Sequence, residues 1–427
     1  MSETVRVGLL GLGNVGGPLA QLVLQQSAEI EARTGVHLEL VAVAVRSATK
    51  ERAVALPDGL LTTDAAAVVA DPSVDVVVEV IGGIEPARTL VLDALAAKKP
   101  VVTGNKELLA NHGAELFEAA DAAGVDLLFE AAVAGGIPLI RPLRESLVGE
   151  RIERVLGIVN GTTNYILTKM TEEGAGYAEA LTEAQELGYA ERDPTADVEG
   201  YDAGAKAAII ASIAFGARIV AGDVYHEGIS SLTPSDIDYA RKLGYVVKLL
   251  AIAERDSTDG SVGIRVHPAM VPLTHPLASV RESYNAVFVE GEAVGSLMFY
   301  GRGAGGSPTA SAVLGDLIDA AANLRKGAHA SLGSLAKATI RPIDDARSEY
   351  YLNLEVADEP GVLAAVAATF GHHGVSIRAM EQEGLGDEAR LVFITHTAAE
   401  RAVQATLHDL RELPSVKRVV SMLRVIE

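Results

Sequence analysis

The sequence contains no cysteine and no tryptophan, and aromatic residues make up only 4% of its 427 residues. The absence of cysteine excludes disulfides, thiolate metal sites and any mechanism with a cysteine nucleophile. The chain also lacks an 18-residue apolar run and a signal-like start, so we expect a soluble, cytoplasmic protein. The net charge of −21 disfavours nucleic acids and anionic membranes as partners.

What the chain has in quantity is aliphatic residues. Hydrophobic residues make up 49% of the sequence, so the core is expected to consist of Ala, Val, Leu and Ile. At this length, two or three domains can each bury a core of their own.

Residues 188–206 combine an acidic loop with the start of an apolar helix. Gly188, Pro194 and Gly200 interrupt the loop, which holds four acidic residues, namely Glu191, Asp193, Asp197 and Glu199. The segment 201–217 is predicted to be one helix with only two charged residues.

Those two charges, Asp202 and Lys206, lie four residues apart and therefore on one helical face. One interpretation is an exposed ion pair worth about 0.3–0.5 kcal/mol. A surface helix, however, normally has a broad polar face, and this one has none. We therefore predict that both side chains are desolvated at a cleft, where Lys206 can donate and recover a proton.

A glycine-rich turn follows the first strand-like segment, Val5–Leu10. It has the spacing G-x-G-x-x-G, with residues Gly11, Gly13, Asn14, Val15 and Gly16, and a helical pattern follows it. A strand before this motif and a helix after it predict a dinucleotide site, where phosphate meets the helix N-terminus. The alternative is a purely structural turn.

The next strand, 38–45, ends in Arg46, with Ser47 and Lys50 close behind. NAD would favour an acidic residue at this position, whereas an arginine suits the 2′-phosphate of NADP. We predict NADP as the cofactor, with NAD as the alternative. If Arg46 is only a solvated residue at the strand end, it does not discriminate between the two cofactors.

Further strands at 74–81, 100–103 and 126–129 alternate with helical segments, which predicts a doubly wound parallel sheet. Lys106 follows the carboxyl end of one of these strands, where such sheets bind ligands. It either faces cofactor or substrate or is simply solvated.

After Glu130 the pattern becomes mixed strands and long helices, which predicts an α+β catalytic domain. Within it, a strand leads into a polar turn where Thr162 or Thr163 is a candidate N-cap. A second glycine cluster at 301–309 precedes another helix, with Ser307 as its candidate N-cap. From about 350 onward a βαββαβ order predicts a ferredoxin-like module, after an irregular bridge at 324–348.

Together these motifs resemble the homoserine dehydrogenase family, whose members interconvert aspartate 4-semialdehyde and homoserine with NAD(P)H. The resemblance spans about residues 5–330 and rests on Gly11–Gly16, Gly104-Asn105-Lys106, Asn160–Ile166, Gly188–Lys206 and Gly303–Ser311. The last segment resembles an ACT domain, with Asp358–Gly361 at its first turn.

The resemblance implies a role for each matching residue. Lys206 would donate the proton, and Asp202 would bind substrate and orient the lysine or a water. Asp197 would also bind substrate, and Glu191 would bind the substrate ammonium. The cofactor would be lined by Gly11, Gly13, Asn14, Val15, Gly16, Arg46, Lys106, Gly188 and Gly303. A monovalent cation, sodium, would be held at Glu130, Val133, Gly135 and Ile137.

The resemblance also implies the organisation of the chain. We expect a Rossmann domain at 1–134 with 303–340, a catalytic and dimerisation domain at 135–302, and an ACT domain at 349–427. A homodimer or homotetramer, inhibition by threonine and no fused aspartate kinase domain are further expectations. The main alternative is a non-catalytic regulator that senses NADP and an amino acid; it would have no need of Lys206 and Asp202.

Overall fold

The computed structural model describes residues 3–333, 335–384, 386 and 388–426. The chain divides into two compact units, the first comprising residues 1–159, 204–224 and 284–338 and the second comprising 160–203, 225–283 and 339–427. Among the described residues, no helix is both long enough and apolar enough to cross a membrane.

The strands, in chain order, are β1 (Glu3–Leu10), β2 (Val36–Ala44), β3 (Leu61–Thr62), β4 (Val76–Glu79), β5 (Val101–Thr103), β6 (Leu127–Leu128), β7 (Ile152–Ile158), β8 (Ala217–Arg218), β9 (Tyr225–His226), β10 (Tyr245–Arg255), β11 (Val262–Pro272), β12 (Tyr284–Gly291), β13 (Gly295–Arg302), β14 (Ala336–Lys337), β15 (Arg347–Ala357), β16 (Ile377–Gly384), β17 (Glu388–Thr395), β18 (Ala398–Ala399) and β19 (Val416–Val425).

The helices are α1 (Gly16–Thr34), α2 (Ala65–Ala70), α3 (Ala87–Ala96), α4 (Lys106–Ala123), α5 (Gly161–Glu173), α6 (Tyr177–Glu186), α7 (Thr195–Val198), α8 (Tyr201–Phe215), α9 (Pro234–Lys242), α10 (Gly306–Lys326), α11 (Val362–His372) and α12 (Glu400–Glu412).

In the first unit, six strands form a parallel sheet in the order β3-β2-β1-β4-β5-β6. The order reverses between β1 and β4, which is the switch point at which such sheets bind ligands. Helix α10, although distant in sequence, packs Ala310, Val313 and Leu317 into the same core as Leu9 and Val78. The predicted doubly wound fold is therefore confirmed.

The second unit has one sheet in which β10, β11, β19, β15, β17 and β16 follow one another. The C-terminal module has the predicted βαββαβ order, and its helices pack on buried Leu352, Leu354, Leu391 and Phe393. Its last strand, β19, pairs antiparallel with β15 on one side and parallel with β11 on the other. The strands of this module therefore continue the sheet that β10 and β11 begin.

Two predicted helix starts are wrong. Helix α5 is capped by Asn160, whose extended backbone and side-chain oxygen accept the Thr163 amide, so neither Thr162 nor Thr163 is the N-cap. The N-cap of α10 is Gly305, not Ser307, because the φ of +115° at Gly305 ends the preceding turn and lets the helix begin at Gly306. Helix α8 is confirmed as continuous, ending at Phe215.

The second unit also buries a lysine on β10. Lys248 is only 2% exposed; its Nζ donates to the Asn164 side chain at 3.1 Å and to the Val280 carbonyl. Burial lowers the pKa of this lysine to about 8. Since the pKa is lower in the folded chain than in the unfolded one, protonation opposes folding. This penalty is complete below about pH 8 and disappears as the pH rises past the unfolded pKa.

The substitution Lys248→Met should remove this penalty. We expect the free energy of unfolding of the wild type to rise by about 2 kcal/mol relative to the variant between about pH 7.5 and about pH 9.5. Denaturant unfolding of both proteins at the two pH values measures the difference in their free energies of unfolding. The protonation of all other groups is common to both proteins and cancels in that difference. Parallel pH profiles would contradict the assignment of a depressed pKa to Lys248.

Candidate active site

The glycine turn after β1 has the shape that a dinucleotide phosphate requires. Gly11 has φ of +103°, and a Cβ at Gly16 would overlap the Gly11 carbonyl oxygen, so the helix packs tightly against the turn. Apart from Gly13 and its chain neighbours, no atom of the described residues lies within 4 Å of the position that a Cβ on Gly13 would take, which leaves the backbone open to a ligand. The N-terminus of α1 therefore faces a space in which an anion is favoured.

A second helix N-terminus meets the same turn. A Cβ at Gly306, the first residue of α10, would overlap the Asn14 carbonyl. Close by, a Cβ at Gly135 would overlap the carbonyl of Gly303. These glycines allow two helix starts and the 133–137 turn to approach within backbone contact, which sequence spacing did not predict.

The ends of β4 and β5 are held by a buried carboxylate. Glu79 accepts the amides of Ile81 and Gly82 and the Thr103 hydroxyl at 2.6 Å. Asn105 then caps α4, which makes Lys106 the first residue of the helix, with its side chain exposed. The scaffolding role of Glu79 was missed, because a lone glutamate at a strand end has no distinguishing pattern.

Arg46 lies two residues beyond the end of β2, and its side chain is exposed. The loop that follows is closed by Arg52, which donates to the carbonyls of Ser47 and Lys50. Arg52 was not singled out from the sequence. Its contacts hold the loop that carries Arg46, at the end of a parallel strand next to β1.

In the second unit, one amide joins the acidic loop to the start of α8. The Asn160 Nδ2 donates to Asp197 at 2.7 Å and to Asp202 at 2.9 Å, while its Oδ1 accepts from the Thr163 backbone amide. Asn160 thus orients two predicted substrate carboxylates and caps α5. It belongs to the motif 160–166, but its link to both carboxylates could not be read from the sequence.

Lys206 and Asp202 are each 9% exposed, which confirms that both are desolvated and excludes the exposed ion pair. The Lys206 Nζ donates to the carbonyl of Val159 at 2.7 Å, and Val159 directly precedes Asn160. This hydrogen bond fixes the position of the ammonium, and a desolvated lysine held in this way can act as a proton donor.

The loop residue Glu191 is exposed, and in the described part of the chain its carboxylate makes no hydrogen bond or ion pair. The loop is fixed by its backbone, because the Gln185 amide donates to the Glu191 carbonyl at 3.0 Å. Gly188, with φ of +76°, begins the turn. The carboxylate is therefore available to a ligand but is not part of the Asn160 cluster.

At the predicted cation site, the Glu130 carboxylate is already engaged. It accepts the backbone amides of Leu139, Ile140 and Arg141, and the Glu130 amide donates to buried Asp316. Burial raises the pKa of Asp316 to about 7. The described residues contain no cluster of three acidic or histidine side chains that could hold a metal. A cation here would depend mainly on backbone carbonyls.

A doubly wound sheet with a glycine turn at its switch point is the fold of nicotinamide-dependent dehydrogenases, and the desolvated lysine on α8 is a candidate proton donor. Family models match at 11–130 (homoserine dehydrogenase, NAD binding domain), 138–318 (homoserine dehydrogenase) and 350–415 (ACT domain). The chain belongs to the homoserine dehydrogenase family.

Individual relatives agree. Over 99% of this chain, homoserine dehydrogenases of Mycobacterium bovis and Corynebacterium glutamicum are 52% and 50% identical, with 98% and 96% of their lengths covered. The crystal structure of a homoserine dehydrogenase from Thiobacillus denitrificans has a TM-score of 0.94 at 44% identity, covering 100% of this chain and 99% of that one. A hyperthermophilic archaeal homoserine dehydrogenase solved with NADPH matches 74% of this chain and 98% of its own, with a TM-score of 0.64 at 28% identity.

These findings establish an oxidoreductase with a nicotinamide-binding domain and a C-terminal ACT domain. The alternative of a non-catalytic sensor receives no support, since family models for the NAD-binding and the homoserine dehydrogenase domains both match. The three regions that the family models match contain the glycine turn, the segment 188–206 and most of the C-terminal βαββαβ module.

Proposed function

We propose that the enzyme reduces L-aspartate 4-semialdehyde to L-homoserine reversibly, with Lys206 as the proton donor. Bound NADPH supplies the hydride. The lysine gives its proton to the aldehyde oxygen as negative charge develops there, and its own charge stabilises that oxygen. The observation that carries the proposal is the buried ammonium of Lys206, oriented by the Val159 carbonyl one helical turn from Asp202.

The carboxylates divide the recognition of a zwitterionic substrate. Asp202 binds the substrate and orients Lys206, and Asp197 lies with it on the Asn160 amide. Glu191, exposed and without a partner in the described chain, receives the substrate ammonium. One neutral amide donates to both carboxylates, of which Asp202 is buried and Asp197 is half-buried.

The substitution Lys206→Met tests the proton donor, because it keeps most of the side-chain length and removes the amine. We expect kcat to fall by at least about a hundredfold, in the range of general acid catalysis, while the Kd for NADPH stays within about threefold. Lys242→Met, an exposed lysine on α9, is the matched control and should behave as wild type. The assignment fails if Lys206→Met keeps near wild-type kcat in absorbance assays with aspartate semialdehyde.

NADP is proposed as the preferred cofactor, held by Gly11, Gly13, Asn14, Val15 and Gly16. The remaining contacts are assigned to Arg46, Lys106, Gly188 and Gly303. The support is the exposed guanidinium of Arg46 immediately after β2, since a guanidinium pairs well with a 2′-phosphate.

Arg46→Asp removes the phosphate partner and adds an acceptor for a free 2′-hydroxyl. The ratio of kcat/KM for NADPH over NADH should fall at least about tenfold, or about 1.4 kcal/mol. Arg33→Asp, the same charge change at an exposed position in the last turn of α1, should leave the ratio unaltered. An unchanged ratio in Arg46→Asp would assign phosphate recognition to another cation, with Lys50 next.

The C-terminal domain is proposed to bind threonine. Its first turn ends at Gly361, which has a φ of +93° and is the N-cap of α11, a helix start whose first amides have no side-chain acceptor from the cap. Such amides suit the carboxylate of an amino acid. A residue with a Cβ is strained at this φ, so replacing Gly361 with a β-branched residue should disrupt the turn.

Threonine should inhibit the wild type with an apparent coupling of about 1–3 kcal/mol. Gly361→Val should weaken inhibition at least about tenfold without changing kcat in the absence of threonine. Gly371→Ala, inside α11 with open space around the added methyl, should retain inhibition. Calorimetry that detects no heat of threonine binding to the wild type would refute an effector site for this amino acid.

A sodium site is proposed at the backbone carbonyls of Glu130, Val133, Gly135 and Ile137. The Ala134-Gly135 pair, both with positive φ, supports it by turning the backbone sharply at this point. A thermal midpoint of unfolding that is higher in sodium chloride than in tetramethylammonium chloride would support the sodium site.

We also propose that the protein is a cytoplasmic homodimer or homotetramer. Sedimentation measurements distinguish the two oligomers.

A further inference from the structure

A single buried arginine joins two carboxylates in the second unit. Arg424, on β19, is 1% exposed. Its guanidinium donates to both oxygens of Glu400 at 2.8 and 2.7 Å and to both oxygens of Glu227 at 2.9 Å each. Glu400 begins α12 of the ACT domain, whereas Glu227 directly follows β9 and belongs to the catalytic part of the chain.

The charges favour this arrangement strongly. Burial acts against ionisation of Glu227, but the hydrogen bonds and the positive charge of Arg424 outweigh it, so the net pKa of Glu227 is lowered. Two bidentate pairs on one guanidinium need the planar fork of arginine, and a lysine could not satisfy both carboxylates. The position of Glu227 therefore depends on the position of β19.

The segment after Glu227 is bound to the acidic substrate loop. The Ile229 amide donates to the Val198 carbonyl at 2.8 Å, and the Ser230 hydroxyl donates to Glu199 at 2.7 Å. At Gly228 a Cβ would overlap both Val198 and Glu199, so the two backbones are in direct contact. Any displacement of 227–230 must therefore move 198–199 as well.

Residues 198–199 lie within the stretch that carries the substrate carboxylates. Asp197 precedes them and Asp202, the second residue of α8, follows three residues later, and both accept hydrogen bonds from Asn160. Asn160, Asp197 and Asp202 hold one another through hydrogen bonds of 2.7 and 2.9 Å. A shift at 198–199 would therefore change the geometry of these bonds.

We propose that Arg424 is a positioning residue for substrate binding. By clamping Glu227 to Glu400, it holds segment 227–230, and through it Asp197 and Asp202, in the geometry that binds the amino-acid substrate. The inference rests on the proposed substrate role of those carboxylates. On this proposal, the affinity for substrate depends on the position of β19, the last strand of the ACT domain. The catalytic residues alone would not produce such a dependence.

The test measures steady-state kinetics of homoserine oxidation by full-length variants. Glu227→Gln keeps the shape of the side chain and leaves Arg424 paired with Glu400. We expect KM for homoserine to rise at least about fivefold, with kcat within about twofold and KM for NADP unchanged, because a loosened site loses ground-state binding. Arg424→Lys should raise the same KM, and Arg424→Met should raise it further.

Glu254→Gln is the matched control. Glu254 also holds two arginines, Arg265 and Arg341, but it lies on β10 and not on segment 227–230. Its loss should lower the thermal midpoint without raising KM for homoserine. If Arg424→Met does not fold, the kinetics of Glu227→Gln and Arg424→Lys still test the proposal.

The proposal is overturned if Glu227→Gln and Arg424→Lys lose stability like Glu254→Gln while KM for homoserine stays at the wild-type value. It is also overturned if kcat falls and KM does not change. Wild-type enzyme that fails to oxidise homoserine would instead refute the proposed function, so the two failures are distinguishable.

Discussion

The side-chain amide of Asn160 is the contact on which the arrangement of Asp197 and Asp202 depends. Its oxygen caps α5, and its nitrogen donates to Asp197 and Asp202 together. The residue before it, Val159, supplies the carbonyl that orients Lys206. Asn160 thus fixes a helix start and two carboxylates. Buried polar groups of this kind are costly unless all are satisfied, so the cluster has little freedom to rearrange.

The nucleotide site depends on a different constraint, which is close backbone approach. Gly11, Gly16 and Gly306 are places where a Cβ would overlap a neighbouring backbone atom or where φ is positive, whereas Gly13 faces open space. The first kind of glycine builds the turn, and the second leaves room for the ligand. The motif G-x-G-x-x-G therefore combines two physical requirements in one short segment.

Two glutamates show how a polar scaffold supports these sites. Glu79 connects the ends of β4 and β5 through two amides and a hydroxyl, and Glu130 accepts the three consecutive amides of Leu139, Ile140 and Arg141. In each case a buried carboxylate satisfies backbone groups that no regular element pairs. Such residues have no motif, because their partners are backbone amides that any sequence provides.

The sequence by itself determined the elements and the family. The alternation of strands and helices, the glycine spacing and the two lone charges on α8 are local patterns, and local patterns depend only on neighbouring residues. The lack of cysteine likewise excludes thiol chemistry from the sequence alone.

Only the tertiary structure decided which distant residues meet. The links from Asn160 to Asp197 and Asp202, from Lys206 to Val159 and from Arg424 to Glu227 join positions about 40 to 200 residues apart. The N-caps Asn160 and Gly305 were also not predicted from the sequence. Several residues at each helix start could cap it, and the backbone angles select one of them. Contacts of this range are set by the packing of whole elements, which no short sequence window contains.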